Sequence, residues 1–506
     1  MSMATGLLEP RLARLGPKAR LALGAGLGAA AALGQAPWGL WPVTLLALAA
    51  LYGVFRITRT LRQGLWAGWA AGTGYFLVSL NWIIEPFLVD VARHGWMAPF
   101  ALMLMGAGMG LFWAIGWAWA RGIGGGALAW IAAGVLTEAL RGWLFTGFPW
   151  AQVGHIWIDT GLLGWASLGG ALLLSGATLM GAVAMWHVLD ARRIPGALGL
   201  TALAGALVAG PMLTPAPEVA PDAPQVRLVQ PNAPQDQKWD PDHIRTFFTR
   251  QLDYTAADAP PDLIVWPETS VPSLLNQAAG ALGAVQDAAR GVPVVLGIQR
   301  LDGLRLYNSM ILMDGQGDLA ALYDKHHLVP FGEYIPFGDR LGRLGISGLA
   351  AQAGHGYSSG PGPQVIEVPG IGTALPLICY EGVFARALRG APGRADFLLL
   401  ITNDAWFGQA SGPYQHVAQA RLRSVEQGLP MIRVANTGVS AMINAAGQIT
   451  AQIGLGEAAW IDAPLPPPAP PTLYARMGDG PLVLLLLALG LGLSLRHRAG
   501  GKGPVL

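Results

Sequence analysis

Charge is scarce in this sequence and cysteine nearly absent. Asp, Glu, Lys and Arg make up 12% of the 506 residues, about half the share of roughly 25% found in ordinary soluble domains. A chain so poor in charge, and 53% hydrophobic, cannot present all of its surface to water. Its net charge of only +2 removes the electrostatic footprint that nucleic-acid binding requires. The single cysteine, Cys379, excludes an intramolecular disulfide and any multi-cysteine metal site. Neither a GxGxxG nor a P-loop motif occurs, so no dinucleotide or nucleoside-triphosphate signature is present. No cofactor and no metal is expected. His326 and His327 are adjacent, and neighbouring histidines lack the spacing of a helical zinc pair. A lone cysteine is most often a small buried hydrophobe, so any chemistry at Cys379 has to be argued from its surroundings.

Apolar sequence takes the place of charge. Segments near the length needed to cross a bilayer lie at 21–36, 41–56, 65–83, 97–119, 124–140, 162–188 and 196–213, and one more at 480–495. The sequence therefore predicts a membrane α-helical bundle of about eight spans. Basic residues give its orientation. With the N-terminus cytoplasmic, the inner segments carry Arg11, Arg14, Lys18, Arg20, Arg56, Arg59, Arg62, Arg121, Arg192, Arg193, Arg496, Arg498 and Lys502, while the short outer loops carry only Arg93 and Arg141. Both termini are expected in the cytoplasm.

Three domains follow: a transmembrane domain over 1–213, an extracytoplasmic domain over 214–478, and a last helix with its tail over 479–506. Pro-rich linkers, "TPAPEVAPDAPQ" and "DAPLPPPAPP", bracket the middle one. Between them, short Val/Ile/Leu runs such as "DLIVWPETS", "PVVLGIQR", "LYNSMILMD", "TALPLICYE", "DFLLLITNDAW" and "PMIRVANTG" end in Pro, Asn, Asp or Gly and read as buried strands. "DPDHIRTFFTRQLDYTA" and "PYQHVAQARLRSVEQG" read as amphipathic helices. The expected domain is α/β, with helices covering sheets.

Three polar residues follow buried strands, at the rim of a sheet where sites are commonly built. Glu268 follows "LIVWP", Lys325 lies in "LYDKHHLVPFGEYIP" after the hairpin-like "MDGQGD", and Cys379 follows "LPLI" ahead of an expected helix start. They stand 57 and 54 residues apart, so spacing alone cannot join them. Taken singly, a helix cap, a solvated charge and a core thiol remain open readings.

The ordered set "WPE", "K…LVPFGEY.P", "ICYE" and "TNDAWFG…QH…AR.R" resembles the carbon–nitrogen hydrolase (nitrilase) superfamily. The apolar segments on both sides narrow the resemblance to its membrane-bound branch, which N-acylates apolipoproteins. It implies an α-β-β-α sandwich and a catalytic Glu268, Lys325 and Cys379. By the same resemblance Glu333 orients Lys325 or assists proton transfer, Tyr380 and Glu381 shape the pocket, and Trp239 holds an acyl chain or positions a loop. Asn403 and Asp404 brace the site.

The implied partners are a phospholipid acyl donor, phosphatidylethanolamine, and a diacylglyceryl apolipoprotein acceptor. The chain is expected to act as a monomer in the bacterial inner membrane, with its catalytic domain on the periplasmic side. The Gly-rich stretch 341–363 is expected to screen Cys379 from water. "GWLFTGFPWAQVGHIW" reads either as a lipid entrance or as an interfacial aromatic belt. A membrane-tethered amidase would use the same three residues and give the acyl group to water. A transporter would need charge inside its spans, where Glu138 is the only acid.

Overall fold

The computed structural model describes residues 7–336 and 356–500. The chain divides into two units, Met1–Thr214 with Thr472–Leu506, and Pro215–Pro471.

In the first unit, helices occupy the stretches that read as spans: Pro17–Ala31, Trp41–Ile57, Leu61–Ser79, Ala98–Gly122, Ala127–Trp143, Ala166–Leu189, Arg193–Leu213 and Gly480–Ala499. Among the described residues four helical stretches, Val91–Gly122, Gly161–Leu189, Arg193–Leu213 and Gly480–Ala499, are long and apolar enough to cross a bilayer by themselves. Pro17–Ala31 has 15 residues, about 22 Å of helix against a hydrocarbon core of about 30 Å. Its Gly/Ala content serves packing instead. A Cβ at Gly28 would come within 1.9 Å of the Ala71 carbonyl oxygen, and one at Gly74 within 2.0 Å of that of Ala25. Helices Pro17–Ala31 and Leu61–Ser79 touch backbone to backbone, the arrangement that small residues permit.

The aromatic segment divides between surface and interior. Trp143 and Phe145 are exposed, whereas Trp150 and Trp157 are fully buried. Its non-helical backbone is held by side chains from the helices. Arg141 Nη1 donates to the Phe148 and Trp150 carbonyls at 2.5 and 2.6 Å, and Gln35 Nε2 donates to that of Gln152 at 2.9 Å. Glu138 Oε1 accepts from the Val153 N–H at 2.8 Å. Irregular backbone survives in an apolar setting only when its polar groups find such partners. The second half of this segment is therefore interior structure, and Glu138 is buried beside it.

Among the described residues the second unit holds twelve strands, β1 Gln225–Gln230, β2 Leu263–Val265, β3 Val294–Asp302, β4 Arg305–Met313, β5 Leu319–Asp324, β6 Ile366–Val368, β7 Gly372–Ile378, β8 Phe397–Thr402, β9 Met431–Ala435, β10 Ser440–Ile443, β11 Ile449–Ile453 and β12 Ala459–Pro464. They form two six-stranded sheets, ordered β12-β1-β2-β3-β4-β5 and β11-β10-β9-β8-β7-β6. The pairs β1–β2, β2–β3, β7–β8 and β8–β9 are parallel.

Alternation along a strand sends successive side chains to opposite faces. Leu263 and Val265 join a core that also holds Ile378, Leu399, Ile401 and Val434 of the other sheet. Ile264 and Trp266 join a different core with Val285 and Ala289 of helix Ala279–Ala289. Helix Gly412–Gln427 packs on the second sheet through residues such as Leu422 and Val425. The layers are helix, sheet, sheet, helix. The turn between β4 and β5 is a hairpin in which Asp314 Oδ1 accepts from the Gln316 and Asp318 N–H groups, both at 2.9 Å.

Candidate active site

Glu268, Lys325 and Cys379 lie just beyond the ends of β2, β5 and β7, and they converge. All are buried, with Lys325 only 1% exposed. Lys325 Nζ donates to Glu333 Oε1 at 2.8 Å and stands 3.5 Å from Glu268 Oε1. Asn308 of β4 reaches both carboxylates, its Nδ2 donating to Glu268 Oε1 at 2.7 Å and to Glu333 Oε1 at 3.3 Å. Glu268 Oε2 accepts from the backbone N–H of Asn403 at 2.7 Å, and Glu333 Oε2 from that of Val329 at 2.8 Å. Each carboxylate is thus oriented from two sides.

Cys379 takes a left-handed backbone, φ +52°, which a non-glycine residue adopts only under constraint. The expected helix does not start here. A five-residue 3-10 turn, Cys379–Val383, is followed by the five-residue helix Ala385–Arg389. The constraint is Glu381, whose Oε2 accepts from the Ile378 N–H at 2.8 Å. Its Oε1 accepts from the His326 and His327 N–H groups at 2.8 and 3.1 Å. One buried carboxylate therefore ties the Cys379 turn to the segment that carries Lys325. Burial disfavours its charge, but His326 and these backbone donors prevail and hold it below the usual carboxylate range.

Electrostatics set the state of the thiol. Burial pushes Cys379 well above its ordinary value and the Glu268 carboxylate adds to this, while the charge of Lys325 and a side-chain bond to Thr402 oppose it. The resting thiol is protonated and needs a base when it reacts. Burial works against the charge on Lys325, yet Glu333 and Glu268 outweigh it and hold the ammonium protonated. Glu333 is raised by burial, against Lys325, with Glu268 adding to the rise. The arrangement offers a thiol, a carboxylate within its electrostatic reach and a fixed ammonium, enough for nucleophilic attack on an acyl carbon and for support of the oxyanion that follows.

Tyr380 is buried, with its ring 4.8 Å from Phe384 and 5.7 Å from His327. Asn403 contributes its N–H to Glu268, while its side chain bonds Gln235 and Asn436. Asp404 meets Arg433 Nη2 at 2.6 Å and His416 Nδ1 at 2.9 Å. Burial penalises its charge, but Arg433 and His416 hold it far below the usual range. His416 Nε2 lies 3.3 Å from the Cys379 carbonyl oxygen. Trp239, 38% exposed, lines a cavity behind Glu268 and does not join the hydrogen-bonded cluster.

His326 Nδ1 lies 2.6 Å from Glu381 Oε1, and the His327 ring packs 3.9 Å from that of Phe384. No group of three His, Cys, Asp or Glu side chains among the described residues is placed to hold a metal. The expected screen 341–363 lies outside the described residues through 355. Beyond it, the Tyr357 N–H donates to the Glu333 carbonyl at 2.8 Å.

Asn308, Arg433 and Lys238 escaped sequence reasoning. The signal for two of them was a polar residue inside an apolar run, in "LYNSM" and "PMIRV".

Residues 225–468 match the carbon-nitrogen hydrolase family and residues 27–184 the apolipoprotein N-acyltransferase N-terminal domain. The apolipoprotein N-acyltransferase of Rhodopseudomonas palustris is 34% identical over 94% of this chain and 94% of its own length. This chain belongs to the apolipoprotein N-acyltransferase family. Family members from Caulobacter vibrioides and Sinorhizobium fredii are 36% and 37% identical over 91% and 81% of this chain, and over the same shares of their own lengths. In this family the helical unit carries the N-terminal match and the sandwich carries the hydrolase match, so the buried cluster above lies in the hydrolase part.

Proposed function

We propose that the enzyme transfers an acyl chain from a membrane phospholipid, phosphatidylethanolamine, to the α-amine of an N-terminal S-diacylglyceryl cysteine on an apolipoprotein. The observation that carries this reading is the convergence of Glu268 and Lys325 on the one cysteine of the chain, with Glu333 holding the lysine. Cys379 attacks the ester carbonyl as Glu268 takes its proton, and Lys325 faces the oxyanion. The C–O bond breaks, the lysophospholipid leaves with the proton from Glu268, and a thioester remains on Cys379. The acceptor amine then attacks, Glu268 takes a proton from it, and the C–S bond breaks to give the amide and a thiolate that regains its proton from Glu268. Glu333, 2.8 Å from Lys325, keeps the ammonium from closing on Glu268.

The enzyme acts in the bacterial inner membrane, with Pro215–Pro471 on the periplasmic side and both termini in the cytoplasm. The asymmetry of Lys and Arg between alternate loops supports this orientation. Lipid-anchored donor and acceptor explain why apolar helices flank the catalytic unit on both sides.

Detergent-purified protein is incubated with phosphatidylethanolamine alone and its intact mass read after acid quench. A hydroxylamine-labile gain of one acyl chain, absent in Cys379→Ala, is expected. A diacylglyceryl-cysteine peptide added next should remove it as amide product. No adduct while Cys379 remains alkylatable refutes the donor, and release of free fatty acid despite the peptide refutes transfer in favour of hydrolysis.

A further inference from the structure

Lys238 is a second buried lysine at this site, 7% exposed. Its Nζ donates to the Glu268 carbonyl oxygen at 3.1 Å and to Thr269 Oγ1 at 2.8 Å. Both bonds land on the turn that carries the carboxylate. Thr269 is held there at φ +47°, a left-handed conformation that a β-branched residue rarely takes. Across the turn, Gly297 of β3 leaves no room for the backbone to relax toward the sheet. Lys238 therefore clamps the backbone of a strained turn whose carboxylate is held by Asn308 and Lys325.

Charge balance points the same way. Glu268 and Glu333 bring two carboxyl groups to the cluster and Lys325 brings one ammonium. Asp404 and Glu381 have cationic or backbone partners of their own. Lys238, bonded to the Glu268 carbonyl and electrostatically coupled to Glu268 and Cys379, supplies a second ammonium. With it, two cations accompany the two carboxyl groups as the proton passes from thiol to carboxylate. Without it, the thiolate would form beside those carboxyl groups with one cation fewer, which disfavours it.

We propose that Lys238 is a positioning residue for acyl transfer, holding the Glu268–Thr269 turn in its strained conformation and balancing the charge of the Cys379 thiolate. The titratable groups coupled to its ammonium are Glu268 and Cys379, and the Trp239 ring lies 5.4 Å from it. Burial, opposed by these two, lowers it to about 8. Lys325, between two carboxylates, keeps its charge far beyond that point. The support that Lys238 gives the thiolate therefore fades above about pH 8, while that of Lys325 persists.

The inference rests on Cys379 being the acylated thiol, and two readouts separate the claims. Thioester formation from phosphatidylethanolamine and alkylation of Cys379 by iodoacetamide are followed from about pH 6 to about pH 10 in the parent, Lys238→Met and Lys238→Arg. Cys379→Ala serves as the blank. In the parent, alkylation should rise with pH and then flatten above about pH 8. Lys238→Met should alkylate about tenfold more slowly near neutral pH and rise without the break. Lys238→Arg, which keeps its charge, should recover the neutral-pH rate and also lose the break. Thr269→Val keeps the charge and removes one acceptor, so it should slow thioester formation yet leave the alkylation profile as in the parent.

A Lys238→Met variant with the parent profile and rate overturns the charge-balancing role. Thioester formation unchanged in Thr269→Val overturns the positioning role. A parent that alkylates as described but forms no thioester counts against the acyl-transfer reading and leaves the electrostatic role standing.

Discussion

Gly297→Ala tests whether the position of Glu268 matters as the geometry demands. A Cβ on Gly297 would lie 2.4 Å from the Thr269 nitrogen and 2.6 Å from both the Glu268 Cα and the Pro267 carbonyl oxygen. Ordinary contact begins at about 3.5 Å, so the turn carrying Glu268 has to retreat by about 1 Å. Three backbone bonds oppose the retreat: the Gly297 N–H to the Pro267 carbonyl at 3.2 Å, and the Ser270 and Val271 N–H groups to the Gly297 carbonyl at 2.8 and 3.3 Å. Overpacking of this kind costs about 1–3 kcal/mol of stability. A catalytic group displaced by about 1 Å loses about a hundredfold in rate, equivalent to about 2.7 kcal/mol of barrier. The assay is single-turnover acylation of Cys379, read by intact mass, beside thermal unfolding of the same preparation. Gly283→Ala is the control: it lies in helix Ala279–Ala289, where an added Cβ meets nothing within 4 Å, and it should gain up to about 1 kcal/mol. A Gly297→Ala variant that acylates within about threefold of the parent would refute the reasoning.

Other outcomes follow from the same contacts. Asp404→Asn leaves the Arg433 guanidinium buried without its carboxylate and should cost about 3–5 kcal/mol in a denaturant titration; a loss below about 1 kcal/mol would contradict the pairing. Asp404 and Glu381 are depressed in the folded state, so their contribution is present above about pH 4 and is lost as pH falls through their folded values. Glu333 is raised and acts in the opposite sense, gaining stability as pH falls. Melting temperature should therefore decline below about pH 4 in the parent, and much less in the Asp404→Asn, Glu381→Gln double variant. Lys325→Arg should lose acylation by about a thousandfold despite its charge, because the guanidinium does not fit a gap bounded by Glu333 at 2.8 Å and Glu268 at 3.5 Å; acylation near the parent rate would show that charge alone suffices.

Much of the sandwich was legible. Each of the interior strands β1 to β4 and β7 to β10 is a short apolar run closed by a turn former. Helix Gly412–Gln427 ends where Gly428 takes the left-handed cap. Edge strands gave weaker signals. Strand β11, "ITAQI", alternates partly exposed and exposed residues up to a buried Ile453, and β6 has only three residues. The helix start expected at Cys379 is only a five-residue 3-10 turn, because Glu381 there accepts N–H groups brought in from the His326 and His327 segment. No local pattern encodes a donor that lies some 55 residues away.

The sequence by itself determined where apolar helices and buried strands lie, that one thiol stands at a strand end, and which residue types accompany it. Those properties depend on local periodicity and composition, which burial and backbone geometry impose within a few residues. Only the tertiary structure decided that Glu268, Lys325 and Cys379 share one buried cluster, that Asn308 and Glu333 orient it, and that Lys238 clamps it from behind. Sheet order and strand register set these meetings, and the same register aligns Ile378 of β7 with Ile401 of β8, bringing the Cys379 and Asn403 ends side by side. The state of each charge then followed from its neighbours, because a buried group has no solvent to answer to and takes its ionisation from whatever the fold places beside it.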